Sequence, residues 1–368
     1  MSIIAPCKGR DDELEQNLKA LFRQDHPDFE ILLAVASEDD PAREVIDKVI
    51  SANPGVKSRI VVAGPSSGRS QKINNLLAAI RLIDEQIKDQ DSQVLVFFDS
   101  DARPRENWLR SLIGPLSEPE VAVTTGYRWY LPLEPNCPSR FWAVLLSAWN
   151  AAVATTLGDH GRNFAWGGST AIRLETFRRI HVADRWQSAL SDDYAMTTAV
   201  QQSGLKIRFV PQCLLVTRED PSFLSLLEFT TRQMIITRVY RPRAWWVGMI
   251  SYLLFNLGFW ASVALIPVTS RVTAFANNPP SSFAVMVALT ALIYLLGCGK
   301  GLTRVLGALK ALPEFASEIK SLWWAYCIAW PLVSLVFLYN FLRSAVTRRI
   351  VWRGVRYEMR SPSETIVL

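Results

Sequence analysis

The run Val94-Leu95-Val96-Phe97-Phe98 carries no charge, is built mostly of β-branched and aromatic residues, and stops on Asp99-Ser100-Asp101. Five such residues in succession predict a central parallel strand covered on both faces. In open α/β sheets, ligands bind just past the carboxyl ends of the strands, which is where Asp99 and Asp101 fall. Two carboxylates that close repel one another unless a positive group lies between them. A divalent cation carrying a diphosphate is one solution, since Mg²⁺ is usually held by one or two carboxylates plus substrate phosphates. A pair of caps on the helix from Arg105 is the alternative.

The flanking sequence favours the first reading. Residues 2–5, 29–36 and 59–63 read as three further strands, and helices are expected between them, the first with Leu14, Leu18, Leu21 and Phe22 on one face. Strand alternating with helix over residues 1–104 predicts a parallel, doubly wound sheet. The first strand ends in Pro6-Cys7-Lys8-Gly9-Arg10. The second ends in Ser37-Glu38-Asp39-Asp40-Pro41, a second acidic strand end. The third leads through Gly64-Pro65-Ser66-Ser67-Gly68-Arg69-Ser70 into a helix opening with Gln71-Lys72. The first amides of that helix, with Lys72, suit an anionic phosphate. Acids, a Gly/Ser loop with a lysine, and the Asp99/Asp101 pair thus converge on one sheet edge, the composition a nucleotide diphosphate needs. Further on, residues 121–127 and 206–210 read as strands and 138–157 as an apolar helix. Asn163-Phe164-Ala165-Trp166-Gly167-Gly168-Ser169 either lets the backbone approach a ligand closely or is a plain turn. Asp192 and Asp193 open a helix running to about Gly204, where acids commonly serve as caps.

After about residue 240 the character changes. The chain is 49% hydrophobic with 13 Trp, and the excess collects in three uncharged runs, 245–267, 281–299 and 322–342. The first two are long enough to span a bilayer. Residues 222–244 hold Arg232, Arg238, Arg241 and Arg243 and are expected to form a basic amphipathic helix at the membrane surface. Trp245 and Trp246 suit the interface belt. Positive charge flanking the runs places the segment before 245 and the loop 300–321 in the cytoplasm, whereas the loop 268–280 holds only Arg271. A third crossing would put the arginine-rich end outside. The run 322–342 is therefore expected to re-enter or lie in the membrane plane, bent near Pro331, with 343–368 a basic cytoplasmic tail. No signal peptide is read at residues 2–6, so all anchoring is expected from residues after about 222. Five scattered cysteines and three histidines show no zinc or disulfide spacing, and reduced thiols are expected. The chain is basic, at +6, but its arginines cluster beside apolar runs, so nucleic acid is not the expected partner.

Read in order, these sites resemble the family 2 glycosyltransferases of GT-A fold, and more closely the family 21 branch of ceramide glucosyltransferases and their bacterial relatives. The residues that carry the resemblance are Pro6-x-Lys8-Gly9, Glu38-Asp39-Asp40-Pro41-Ala42, Lys72-Ile73-Asn74-Asn75-Leu76, Asp99-Ser100-Asp101, Ser191-Asp192-Asp193-Tyr194 and Trp352-Arg353-x-x-Arg356-Tyr357. The resemblance implies a GT-A catalytic domain over 1–221, with a helical membrane region after it. It implies that Pro6, Lys8, Asp39 or Asp40, and Lys72 meet a UDP-sugar, with the acid at 39 or 40 reading the uracil. Asp99 and Asp101 would hold Mg²⁺ or Mn²⁺, with Asp99 also on the donor side. Asp193 would be the catalytic base, with Asp192 its neighbour. Arg232 matches the first position of the family's motif after the base, but Ile235-Ile236 stand where Arg-Trp is usual, and Arg238 is the nearby cation that could replace it.

The function implied is a membrane-bound, metal-dependent, inverting transferase. It would move one sugar, glucose in the first instance, from a UDP-sugar to the hydroxyl of a lipid such as ceramide at the cytoplasmic leaflet, with the membrane half delivering the lipid to Asp193. A processive polysaccharide synthase of the same fold and a non-catalytic nucleotide-sugar-binding membrane scaffold are the rival readings. The first would need more spanning helices, and the second has no use for Asp193.

Overall fold

In the computed structural model, residues 1–86, 93–133, 140–275 and 281–368 are described. The start of the expected helix 138–157, the end of the expected loop 268–280 and Cys137 lie outside them. The other four cysteines are free thiols. The chain divides into two compact units: Met1–Leu133, Ala152–Glu219 and Arg348–Leu368 form the first, and Glu134–Ala151 with Asp220–Thr347 the second.

The first unit holds strands β1 (Ser2–Pro6), β2 (Glu30–Val35), β3 (Lys57–Val62), β4 (Val94–Phe98), β5 (Val121–Leu131), β6 (Ser169–Arg173) and β7 (Lys206–Arg218) in one sheet of order β3-β2-β1-β4-β6-β5-β7. Helices α1 (Leu14–Leu21), α2 (Ala42–Ala52), α3 (Gln71–Gln86) and α4 (Trp108–Ile113) follow β1 to β4 in turn. β3, β2, β1 and β4 are mutually parallel, as the alternation in the sequence requires. β4 is buried on both faces: Phe97 packs edge-on to Trp186 at 5.4 Å, and Phe98, one residue on and so pointing the other way, packs on Trp108 at 5.4 Å.

β6 was not legible as a strand. Its residues Ser169-Thr170-Ala171-Ile172-Arg173 are small or polar for the most part, and they follow two glycines. It runs antiparallel between β4 and β5, and this turns the chain so that residues 166–168 end beside the tip of β4. Helices α6 (Leu174–Arg179), α7 (Val182–Trp186) and α8 (Asp192–Gln202) come next.

The second unit is helical. It contains most of α5 (Arg140–Ala154), then α9 (Phe223–Tyr240), α10 (Pro242–Phe275), α11 (Ser281–Ala311), α12 (Ala316–Ser321), α13 (Trp323–Cys327) and α14 (Trp330–Val346). α10 and α11 carry stretches long and apolar enough to cross a membrane, Pro242–Val268 and Phe283–Ala311, and few residues of either are fully buried. The run 322–342 is two helices, parted at Ile328-Ala329 just before Trp330-Pro331. Proline suits the first turn of a helix, where its missing N–H would have no partner, and α14 starts there. Its 17 residues reach about 25 Å, short of a hydrocarbon core of about 30 Å. The unit is tied internally by buried polar contacts. Asn340 accepts from the hydroxyls of Thr230 and Thr231, and Ser334 donates to Asn256. Trp245 differs from the interface-belt expectation: it is buried, and its indole N–H donates to Ser344 at 2.9 Å. Trp246 is exposed.

Residues past 347 are also not a tail. β8 (Arg349–Trp352), β9 (Val355–Ser361) and β10 (Glu364–Val367) form an antiparallel sheet that belongs to the first unit. Short strands rich in arginine masked this in the sequence.

Candidate functional site

The carboxyl edge of the large sheet gathers charge from four separate segments. Lys72, in the first turn of α3, places its Nζ 2.8 Å from Asp99 Oδ1 and 3.0 Å from Asp192 Oδ2. Burial favours loss of its proton, but the carboxylates of Asp192, Asp99 and Asp193 outweigh this and raise its pKa, so Lys72 stays charged. Asp99 is likewise disfavoured as an anion by burial, yet Lys72 and Arg128 hold its pKa below the ordinary value.

The two acids that open α8 have different partners. The cap is Ser191, whose hydroxyl accepts from the Tyr194 amide. Asp192 is thereby left to pair with Lys72, and Asp193 accepts the backbone N–H of Gly167. Burial first, then the charge of Asp192, pushes the Asp193 carboxyl up to about 8, against the opposing pull of Lys72. A carboxyl in that range exchanges its proton near neutral pH, as a general base must.

Gly167 is what lets these groups meet. A Cβ there would lie 2.0 Å from Asp192 Oδ2, 2.7 Å from Asp193 Oδ1 and 3.0 Å from Lys72 Nζ. The close approach at Gly167 is therefore made by this chain's own Asp192, Asp193 and Lys72.

Arg128 escaped the sequence reading. Its Nη2 lies 2.9 Å from Asp99 Oδ2 and its Nη1 3.2 Å from Asp101 Oδ2, while Nη1 also donates to the Tyr130 hydroxyl. The guanidinium stacks over Trp166 at 4.6 Å. The available signal was a single cation inside the otherwise uncharged β5, Val121–Leu131. It supplies part of the positive charge that an Asp99/Asp101 pair demands.

Asp101 keeps its second oxygen, Oδ1, buried and without a hydrogen-bond partner. Among the described residues no three His, Cys, Asp or Glu side chains converge as a cage for a metal. Two carboxylates with an unsatisfied oxygen fit a divalent cation whose remaining ligands are phosphate oxygens. They do not fit one held by protein alone.

The acids after β2 separate. Asp40 is buried and accepts from the amides of Gly9, at 2.8 Å, and Ala42, at 3.0 Å, so it ties the loop after β1 to the start of α2. Asp39 is exposed. Pro6 closes β1, and Lys8 follows it, its pKa lowered by burial and by Arg353 against the pull of Asp40. Arg232 and Arg238 belong to the second unit. There Arg238 donates to the Ser344 carbonyl at 2.6 Å and lies over the Trp245 ring, and Arg232 lies over Phe229.

A mostly parallel α/β sheet with these acids at its carboxyl edge is a domain of the GT-A kind. The chain belongs to glycosyl transferase family 21, whose family model matches residues 1–365. It is similar to ceramide glucosyltransferase 1 of Caenorhabditis elegans, 36% identical over 81 residues, which are 22% of this chain and 17% of the relative. It is also similar to a ceramide glucosyltransferase of Komagataella phaffii, 39% identical over 80 residues, 21% of this chain and 16% of the relative. The matched stretch thus spans about a sixth of the length of these relatives. Among solved structures, a mannosyltransferase from Pyrobaculum calidifontis in complex with GDP-Man and Mn²⁺ aligns with 94% of this chain and 86% of its own, at 14% identity and a TM-score of 0.49.

Proposed function

We propose that this protein is an inverting glycosyltransferase of the membrane, moving one sugar, glucose in the first instance, from a UDP-sugar to the hydroxyl of a lipid such as ceramide. The observation that carries the reading is the division of labour between Asp192 and Asp193. Asp192 is committed to Lys72, while the Asp193 carboxyl meets the Gly167 backbone amide and is poised to take a proton near neutral pH. In the proposed reaction the acceptor oxygen attacks the anomeric carbon from the face opposite the diphosphate, and its proton passes to Asp193. The bond from that carbon to the diphosphate breaks, and the electron pair leaves with UDP. One displacement inverts the centre and needs no covalent nucleophile.

The remaining residues take donor roles in this proposal. Asp39, exposed where Asp40 is spent on backbone amides, reads the base; Pro6 and Lys8 shape the adjoining loop. Lys72 and Arg128 hold Asp99 and face the diphosphate. A divalent cation held by Asp99 and Asp101 would neutralise charge on the leaving group. The lipid acceptor and the membrane location are supported by the length of α10 and α11 and by the apolar surface they expose, Leu254, Leu257, Leu289, Leu292, Leu295 and Leu296 among it. A cytoplasmic catalytic face is supported by the arginines that precede 245.

The test is transfer of label from UDP-glucose into a total lipid extract by the purified protein in detergent, with and without EDTA. A labelled lipid that disappears with EDTA is expected, and mass spectrometry of it names the acceptor. Transfer from another UDP-sugar instead would change the sugar, and no product with any UDP-sugar would overturn the proposal.

A further inference from the structure

The β8–β9 hairpin turns on Arg353-Gly354, since Trp352 pairs with Val355. Arg353 has φ +46° and Gly354 φ +79°. Positive φ at both central residues marks the tight hairpin turn that normally takes Asn-Gly or Gly-Gly. An arginine at its first position is conformationally disfavoured, so the side chain there is held by something else. Its guanidinium forks onto Asp11, with Nη1 2.9 Å from Oδ1 and Nη2 2.8 Å from Oδ2, and Nη1 also donates to the Lys8 carbonyl at 2.9 Å. Both partners lie in the loop between β1 and α1, on the sheet edge that carries the candidate donor site. Four residues on, the buried Tyr357 accepts the backbone N–H of Gln71 at 3.1 Å, one residue before Lys72. One C-terminal hairpin therefore grips the two segments, 8–11 and 71–72, that flank the Asp99 site from the N-terminal half of the sheet. Asp101 and Asp99 also lie close enough to Arg353 to favour its charge.

We infer that Arg353 is a positioning residue for the donor: the hairpin clasps the loop after β1 and the start of α3 into the shape that receives a nucleoside diphosphate. The inference rests on the proposed UDP-sugar reading. It separates Arg353 from a mere structural staple, because a staple would affect donor and acceptor alike, whereas the clasped segments belong to the donor edge.

The experiment is calorimetric titration of the full-length protein in detergent with UDP and Mn²⁺, followed by steady-state kinetics in both substrates. Arg353→Ala is expected to weaken UDP about tenfold or more, as loss of a charge-assisted fork implies, and to raise the KM for the UDP-sugar while leaving that for the lipid unchanged. Arg353→Lys, which keeps the charge without the fork, should recover only part of this, and free guanidinium should restore UDP binding to Arg353→Ala. If Arg353→Ala does not fold, Asp11→Asn, which weakens the fork from its other side, is expected to show the same donor-selective loss. Wild-type UDP affinity in the variants, or equal losses for donor and lipid, overturns the inference alone. A wild-type protein that binds no UDP overturns it together with the donor reading.

Discussion

Single residues at this site are distinguished by their partners rather than by their type. Asp192 and Asp193 are adjacent and chemically identical, yet one is an ion-pair partner and the other is left with a backbone amide and a pKa near 8. Asp193→Asn is expected to lower transfer about 10²- to 10⁴-fold, the usual worth of a general base, with UDP affinity retained in a binding titration. In the wild type, the rate should climb as pH rises towards about 8, where Asp193 gives up its proton, and level above it. The same shift has a stability consequence. With its folded pKa raised from 3.8 to about 8, the protonated carboxyl contributes stability that is full below the ordinary value and lost as pH rises through about 8. Thermal melts of Asp193→Asn should therefore show a shallower fall in stability from pH 4 to pH 8 than the wild type. Arg128 invites a different test. Arg128→Ala removes the cation that pairs with both Asp99 and Asp101 at this half-buried site and is expected to cost roughly 1–3 kcal/mol, the usual penalty for charged groups left without a partner. Mn²⁺ should then raise the melting temperature of the variant by more than that of the wild type. An equal shift in both would mean that Arg128 and the metal do not share the two carboxylates.

At the scale of elements, the site depends on where helices and strands stop. β4 ends one residue before Asp99, α3 begins one residue before Lys72, and α8 begins on Asp192 with Ser191 as its cap. Ser191→Ala removes the hydroxyl that accepts the Tyr194 amide and is expected to cost about 1 kcal/mol, read as a lowered melting temperature. Fraying of that first turn would also loosen Asp192 and Asp193, so catalysis should fall more than the stability loss alone predicts. β6 matters for the same reason: its antiparallel course is what brings Gly167 to the tip of β4 and under the two acids.

At the scale of the whole molecule, the chain leaves its α/β unit and comes back to it twice. It departs after Leu133, returns at Ala152, departs again after Glu219 and returns at Arg348. The second excursion carries both long apolar helices, and the return carries the clasp. If α10 and α11 each cross the bilayer once and the run 322–342 does not, the hairpin stays on the side of the catalytic sheet. A single cysteine introduced near residue 360 should then resist membrane-impermeant thiol reagents in intact cells and react after permeabilisation. Labelling in intact cells would mean a third crossing.

Much of this was written in local sequence. The parallel half of the sheet follows from strand and helix alternating over the first hundred residues, and the acids at its edge from strands that end in Asp or Glu. The long uncharged runs follow from composition, because an apolar stretch of that length has few other uses. These features depend on neighbours in the chain, where hydrophobic period and turn chemistry act. What required tertiary structure depends on distant segments. The sequence shows Asp39 and Asp40 as equivalents, and only the packing of the β1 loop on α2 assigns Asp40 to backbone amides and leaves Asp39 exposed. Asp192 and Asp193 part company only because Lys72, from another helix, reaches one of them. Arg128 reads as a stray charge in a buried strand until Asp99 and Asp101 are set beside it. Arg353 reads as part of a basic tail until the hairpin closes on Asp11, 342 residues earlier. Local sequence decides where each charge sits along the chain; which charges meet, and so which proton is free to move, is decided by the fold.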